Sequence, residues 1–205
     1  MNITIIDYGM GNINSIKKKL LKLGIDPIIS ADISEIKKAD KIILPGIGHF
    51  AQAMERLNTL NLVDILNEEV LIKKKPILGI CLGMQLLTKS SEEGGSVKGL
   101  GWFDAEIVKF NIKNTLKYKV PHVGWNQIQI QKESVLMNGI ADLSEFYFVH
   151  SYFCKCNNQA DVLNNTDHES IFASAIEKEN IFGVQYHPEK SHSVGDKLIE
   201  NFCKI

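Results

Sequence analysis

The amino-acid sequence predicts an α/β protein, in which a twisted, mostly parallel sheet is flanked by helices and carries an appended antiparallel sheet. Short apolar runs alternate with segments of helical periodicity in the first half of the chain. The second half is a succession of short strand-like segments separated by turns. With 205 residues, no internal repeat and no linker-like segment, the chain is expected to form a single domain over residues 1–205.

The first half of the chain predicts consecutive βαβ units. An apolar run from Ile3 to Asp7 is followed by apolar residues at helical spacing from Ile13 to Leu23, and Gly24 ends that helix. Strands that alternate with helices indicate a buried parallel sheet. The further predicted elements are strands over residues 27–30, 41–44 and 76–80, and helices over 33–38, 50–75 (one or two helices) and 82–89.

The second half predicts the antiparallel part of the fold. The Asn157-Asn158 pair is typical of a turn, and it predicts a hairpin between neighbouring strands. A final amphipathic helix is expected over residues 196–203. The predicted strands cover residues 102–110, 127–130, 146–150, 152–156, 171–176 and 181–186.

Composition excludes several classes of function. A formal net charge of -1 gives no general attraction to nucleic acid or to an anionic membrane, and two lysine triplets, at 17–19 and 73–75, are expected on solvated helix faces. No apolar stretch approaches the ~20 residues that span a bilayer, and the N-terminus lacks the basic region of a signal peptide. The 4 cysteines are few and unevenly spaced, so they are expected to be reduced in a cytoplasmic protein.

Cys81 lies in the strongest local motif of the sequence. A buried strand leads directly into Gly79-Ile-Cys81-Leu-Gly83, and a helix follows. This is the cysteine form of the nucleophile elbow, in which glycines permit a sharp turn that exposes the central side chain at the carboxyl edge of the sheet. The helix N-terminus also favours a thiolate. A buried core cysteine is the alternative interpretation, but the flanking glycines favour a nucleophile.

A cysteine nucleophile needs a base, and the sequence offers His187. This histidine ends a strand-like segment, Pro188 stops the strand, and Glu189 is placed to accept a hydrogen bond from the second imidazole nitrogen. Alone, His-Pro-Glu is more typical of a surface turn. Together with the Cys81 elbow, it predicts a Cys-His-Glu triad.

A third motif, Pro45-Gly-Ile-Gly48, follows the apolar strand that begins at Lys41. Its backbone N–H groups could stabilise a developing oxyanion. An ordinary turn at the end of a strand is the alternative, and this motif alone is weak.

Two apparent cofactor motifs do not hold. Gly9-Met-Gly11 follows a strand and Asp32 has the spacing of a dinucleotide fingerprint, but Asn14 replaces the third glycine. Cys154 and Cys156 are separated by one residue, so in a strand their side chains face opposite ways and cannot share a zinc ion. No metal or other cofactor is expected.

The motifs together resemble the class I glutamine amidotransferase family, nearly end to end. Within it, several further segments resemble the glutaminase subunits of imidazole glycerol phosphate synthases. Met84 stands where anthranilate-type glutaminases usually have histidine, and Asn14 departs from the arginine that family members often carry. The segments are Ile6-Asp-Tyr-Gly-Met-Gly-Asn12, Pro121-His-Val-Gly-Trp-Asn126, Tyr147-Phe-Val-His-Ser-Tyr152 and His187-Pro-Glu-Lys-Ser191.

The resemblance implies a flavodoxin-like three-layer fold and a role for each site residue. Cys81 would be the nucleophile, His187 the general base and acid, and Glu189 the group that orients His187. The remaining roles are an oxyanion hole from Ile47, Gly48 and Leu82; glutamine binding by Gln85, His150, Ser151 and Tyr152; and a partner interface that includes Asn12, His122, Trp125, Asn126 and Lys190.

The resemblance also implies a partner. A (βα)₈-barrel cyclase subunit would receive ammonia through an internal channel and form imidazole glycerol phosphate for histidine biosynthesis. The alternatives are the same glutaminase serving another synthase, such as an amidino-sugar enzyme of surface polysaccharides, a stand-alone cysteine hydrolase or peptidase, and a catalytically dead interaction subunit. Competent residues at all three triad positions disfavour the last of these.

Overall fold

The computed structural model describes residues 1–205. The first half alternates strands and helices as predicted, and a π-helical segment, Asn67–Ile72, directly continues the fourth helix. The elements are β1 (Ile3–Ile6), α1 (Ile13–Lys22), β2 (Ile28–Ser30), α2 (Ile33–Lys38), β3 (Lys41–Gly46), α3 (Phe50–Thr59), α4 (Leu62–Leu66), β4 (Ile77–Cys81) and α5 (Leu82–Leu86).

The second half is mostly strands and ends in one helix. Single-turn 3-10 helices lie at Val135–Met137, Gln159–Asp161 and Pro188–Lys190. The elements are β5 (Thr88–Ser91), β6 (Val97–Lys98), β7 (Phe103–Lys109), β8 (His122–Gln127), β9 (Gln129–Ile130), β10 (Glu145–His150), β11 (Tyr152–Cys156), β12 (Val162–His168), β13 (Ser170–Lys178), β14 (Ile181–Val184) and α6 (His192–Lys204).

Five strands form a wholly parallel half-sheet in the order β2-β1-β3-β4-β14. The predicted α/β fold is confirmed, and this is the strand order of flavodoxin-like sheets. Side chains alternate between the two faces, because successive residues of a strand point to opposite sides. In β3, Ile42 and Leu44 face a core shared with α2 to α5, whereas Ile43 faces the core under α1 and α6. The result is three layers.

The antiparallel part extends the same sheet beyond β14 through β13, β11 and β7, while β8 and β10 form a separate two-stranded sheet. The hairpin predicted at Asn157-Asn158 is wrong, because β11 pairs with β7 and β13 and not with the next strand, β12. The helix predicted over 82–89 ends at Leu86, and Thr88 begins β5.

Four strands that the sequence did not indicate are β5, β6, β8 apart from its last residue, and the polar β12. In β12, Asn164 and Thr166 are buried, and each side chain donates a hydrogen bond within the core. Asn164 donates to the Tyr186 hydroxyl at 2.9 Å, and Thr166 donates to the Ser174 hydroxyl at 2.8 Å. Long-range partners allow a polar strand into the core, and periodicity does not detect such partners.

The second lysine triplet does not lie on a solvated helix face. It follows the π-helical segment, and the ammonium groups of Lys73 and Lys75 each lie 2.7 Å from the buried carboxylate of Glu69. Lys75 also donates to the carbonyls of Ile36 and Lys37 and so ties this segment to α2. None of the helices is both long enough and apolar enough to serve as a membrane span.

Candidate active site

Cys81 stands at the junction of β4 and α5 with a backbone φ of +55°. A non-glycine residue in this region is strained, and the surrounding structure must hold it there. Gly83 permits the close packing that this requires, because a Cβ at that position would lie 1.8 Å from the carbonyl oxygen of Leu44. The sequence prediction of an elbow is therefore matched by geometry, and the Cys81 side chain emerges at the carboxyl edge of the parallel half-sheet.

His187 follows β14, the strand that pairs with β4 on the side away from β3. Its Nδ1 lies 2.8 Å from Oε1 of Glu189, and both side chains are buried. The other ring nitrogen, Nε2, has no hydrogen-bond partner. Burial opposes protonation, but the charges of Cys81 and Glu189 outweigh it and raise the pKa of His187 to about 10. The site therefore favours the protonated, imidazolium form of His187.

Two further residues contact this pair: Gln185, which the sequence analysis missed, and Asn12, whose contact with Glu189 it did not predict. Gln185 is fully buried and donates from Nε2 to the Cys81 sulfur at 3.7 Å, while its Oε1 accepts from Gln85 at 3.0 Å. Asn12 donates to Oε1 of Glu189 at 3.3 Å. The available signal for Gln185 was a polar residue within the otherwise apolar segment predicted as a strand over 181–186, two residues before His187. Asn12 had been predicted only at the partner interface.

The loop after β3 presents free backbone donors beside Cys81. Neither Ile47 nor Gly48 uses its N–H in a hydrogen bond within the chain. Gly48 has a φ of +111°, which side chains rarely permit. The loop is held from behind, since the buried Tyr8 hydroxyl donates to the Pro45 carbonyl at 2.8 Å.

A cavity of about 400 Å³ opens over these groups. Every predicted glutamine-binding and oxyanion residue lines it, whereas Glu189 lies behind His187. Glu93 also lines the cavity and was not predicted. Its carboxylate is anchored by the Phe50 N–H at 2.8 Å, at the start of α3. The lining residues are Ile47, Gly48, Cys81, Leu82, Gln85, Glu93, Pro121, Val149, His150, Ser151, Tyr152, His187 and Lys190.

Comparison with known proteins identifies the family to which this chain belongs. The model of the family described as glutamine amidotransferase class-I matches residues 4–205. The chain belongs to the class I glutamine amidotransferase family.

Curated relatives of this amidotransferase match it over nearly their whole length. The imidazole glycerol phosphate synthase subunit HisH 2 of Methanococcus maripaludis is 52% identical, covering 98% of this chain and 98% of the relative. Subunit HisH 1 of Campylobacter jejuni is 44% identical, covering 99% of this chain and 100% of the relative. These findings confirm the family that the sequence motifs indicated.

Solved structures share the fold at much lower identity. A structure described as a glutamine amidotransferase has a TM-score of 0.75 at 15% identity, covering 98% of this chain and 97% of that one. A glutamine amidotransferase from Thermotoga maritima has a TM-score of 0.66 at 17% identity, covering 100% of this chain and 83% of that one. At such identities the similarity concerns the fold alone.

The residues predicted at a partner interface divide into two groups in this amidotransferase. On β8, Trp125 is 43% exposed and stacks on His192 with ring centroids 4.8 Å apart. The ammonium of Lys190 lies 5.5 Å from the Tyr147 ring centroid at the rim of the cavity. His122, by contrast, is 5% exposed and points inward, so any role at an interface is indirect.

The two rejected cofactor motifs have structural roles. Asp32 caps α2, where its carboxylate accepts the Ser34 N–H at 2.6 Å. Cys154 and Cys156 are both free thiols, and burial raises the pKa of each. No group of three or more His, Cys, Asp or Glu side chains is arranged to hold a metal ion.

Proposed function

We propose that this chain is the glutaminase subunit of an imidazole glycerol phosphate synthase, which hydrolyses glutamine and passes the ammonia to a synthase partner. The observation that carries the proposal is that Cys81 and His187 both line the cavity, with Glu189 hydrogen bonded to His187 from behind. Full-length relatives at 52% and 44% identity bear the name of this synthase subunit.

The first step is attack by the Cys81 thiolate on the side-chain amide carbon of glutamine. A C–S bond forms and the carbonyl π electrons move to oxygen, which becomes an oxyanion. The N–H groups of Leu82 and of the Ile47–Gly48 region would stabilise it; in support, the N–H groups of Ile47 and Gly48 are unused and both residues line the cavity. One such donor contributes on the order of 10²–10³ in rate.

His187 then moves the protons. Its imidazolium donates the Nε2 proton to the amide nitrogen, the C–N bond breaks, and ammonia leaves a glutamyl thioester on Cys81. The neutral ring next takes a proton from water, whose oxygen bonds to the carbonyl carbon, and the thiolate departs as glutamate forms. Glu189 accepts a hydrogen bond from the Nδ1–H group at 2.8 Å, which orients the ring and stabilises its charged form.

The cavity offers polar groups that suit the amino-acid end of glutamine. Glu93 supplies a carboxylate for the α-ammonium group, and Gln85 with the turn of residues 150–152 supplies further donors and acceptors. These groups would hold the amino-acid end of glutamine while the oxyanion donors hold its amide end, and together they would fix the amide carbon near the Cys81 sulfur.

We further propose the identity and the place of the partner. A (βα)₈-barrel cyclase would dock over the exposed side of β8, near Trp125 and Lys190, and receive ammonia directly. The chain would act as one domain over residues 1–205, in the cytoplasm, as a subunit for histidine biosynthesis. An amidino-sugar synthase is the alternative partner that the experiment must separate.

The test combines a variant with two nitrogen donors. Cys81→Ala, assembled with the cyclase, should lose synthesis from glutamine and retain synthesis from ammonium salts. Cys156→Ala is the matched control and should use glutamine normally, because that thiol lies away from the cavity. Glutamine use by Cys81→Ala at near wild-type rate would contradict the nucleophile. Activation by an amidino-sugar synthase and not by the cyclase would contradict the partner.

A further inference from the structure

A chain of side-chain hydrogen bonds runs from β8 to the wall of the glutamine cavity. The amide Nδ2 of Asn126 lies 3.2 Å from Nε2 of His122. Nδ1 of His122 lies 2.9 Å from Nε2 of His150. Nδ1 of His150 lies 2.8 Å from the carbonyl oxygen of Tyr152. Three consecutive contacts thus join an edge strand to a backbone carbonyl beside the cavity.

The direction of this chain is fixed at both ends. The Tyr152 carbonyl can only accept, so Nδ1 of His150 carries hydrogen and its Nε2 is an acceptor. His122 must then donate from Nδ1 and accept at Nε2. Asn126 supplies that donor, and its amide orientation is set because Oδ1 accepts the Gln127 N–H at 2.8 Å while Nδ2 also donates to the Asp167 carbonyl at 2.9 Å. Every hydrogen in the chain has one consistent position.

The two imidazoles are held neutral by an apolar enclosure. The Phe148 ring stacks on His122 with centroids 4.9 Å apart, and Phe110 lies 5.2 Å from His150. Burial lowers the pKa of His122 to about 4 and that of His150 to about 3. His168 stacks on His122 at 4.1 Å but hydrogen bonds elsewhere, to the Lys119 carbonyl. His168 therefore lies beside this series of hydrogen bonds but is not part of it.

The inner end of the chain acts on the residues that line the cavity. The Tyr152 carbonyl accepts from His150 and also from Gln85 Nε2 at 3.2 Å. The position of the 150–152 turn is therefore set by hydrogen bonds to its backbone. His122 orients the His150 ring that makes one of them. The outer end belongs to β8, whose Val123 and Trp125 side chains are exposed on the opposite face.

We propose that His122 is a positioning residue for glutamine: through His150 it fixes the turn of residues 150–152 and joins that turn to the exposed strand β8. This inference rests on the proposed function, because it takes the cavity to bind glutamine. His122 does not touch the substrate, since it is absent from the cavity lining. Its effect is on the placement of groups that do.

The test uses three variants in the assembled synthase. His122→Phe keeps the ring stacking and removes the donor to His150, so the KM for glutamine should rise about tenfold while synthesis from ammonium salts is unchanged. His122→Asn can place an amide N–H near the position of Nδ1 and should recover most of this loss. His168→Phe keeps the neighbouring stack and should leave the KM within about twofold.

Two measurements separate this inference from the proposed function. Nitrogen-15 NMR of the wild-type chain should show His122 and His150 as neutral rings protonated at Nδ1, and protonation at Nε2 of either would overturn the inference whatever the activity. An unchanged KM in a folded His122→Phe variant, or no recovery in His122→Asn, would also overturn it. Absence of glutamine use by the wild-type assembly would instead overturn the proposed function.

Discussion

His150 should make the stability of the folded chain sensitive to mild acid. Burial in an apolar enclosure lowers its pKa to about 3, whereas an unfolded histidine titrates near 6.5. Between these values the unfolded state binds one more proton than the folded state. The free energy of unfolding therefore falls as the pH falls, by about 1.4 kcal/mol per pH unit for this one residue.

The perturbation is His150→Phe, which fits a site already surrounded by phenylalanine and removes the titration. From pH 6.5 to pH 4.5 the wild type should lose about 2.3 kcal/mol more than the variant, because the unfolded histidine is only half protonated at the upper pH. At pH 7 the variant should be less stable by roughly 1–3 kcal/mol, because the His122 N–H loses its acceptor. The two stability curves should therefore converge near pH 5, to judge from these rough figures.

The assay is urea unfolding of both proteins at several pH values and constant ionic strength, followed by circular dichroism and tryptophan fluorescence. His192→Asn is the control, because the His192 side chain is exposed and lies outside the buried histidine cluster. Asparagine also tolerates the backbone φ of +48° at that position. Parallel curves for the wild type and His150→Phe would refute the reasoning, since they would mean that His150 protonates in the folded chain.

Three further predictions concern catalysis. Glu189→Gln should lower glutamine turnover about tenfold, which is less than the loss in His187→Ala, because a neutral amide still accepts from Nδ1 but stabilises the imidazolium less. Equal losses in single-turnover assays would contradict this. Gly48→Val should lower partner-activated turnover about 100-fold and basal turnover much less. A side chain is disfavoured at a φ of +111°, so the N–H donor of the Ile47–Gly48 region would be displaced. Equal effects on both rates would count against this prediction. Glu93→Gln should raise the KM for glutamine about tenfold at similar kcat, through loss of a charge that faces the α-ammonium group, and steady-state kinetics with an unchanged KM would exclude that contact.

Local patterns in the sequence sufficed to predict the parallel half of the fold and to propose the Cys81, His187 and Glu189 triad. Each strand of the β2-β1-β3-β4-β14 half-sheet is a short apolar run bounded by a turn or a helix signal, and such signals depend on neighbouring residues alone. The Cys81 elbow was predictable for the same reason, because its glycines are needed within two positions of the cysteine. His187 and Glu189 are likewise separated by a single proline.

Tertiary structure alone decided which other polar groups meet the triad. Asn12 and Glu189 are 177 positions apart, and Gln185 is 104 positions from Cys81, so no spacing within a motif relates them. β12 was missed for the same reason, since its buried asparagine and threonine are acceptable only beside partners on β13 and after β14. A buried polar side chain gains its stability from the particular donor or acceptor that the fold places against it. Apolar burial has no such directional requirement, and periodicity in one segment is therefore enough to predict it.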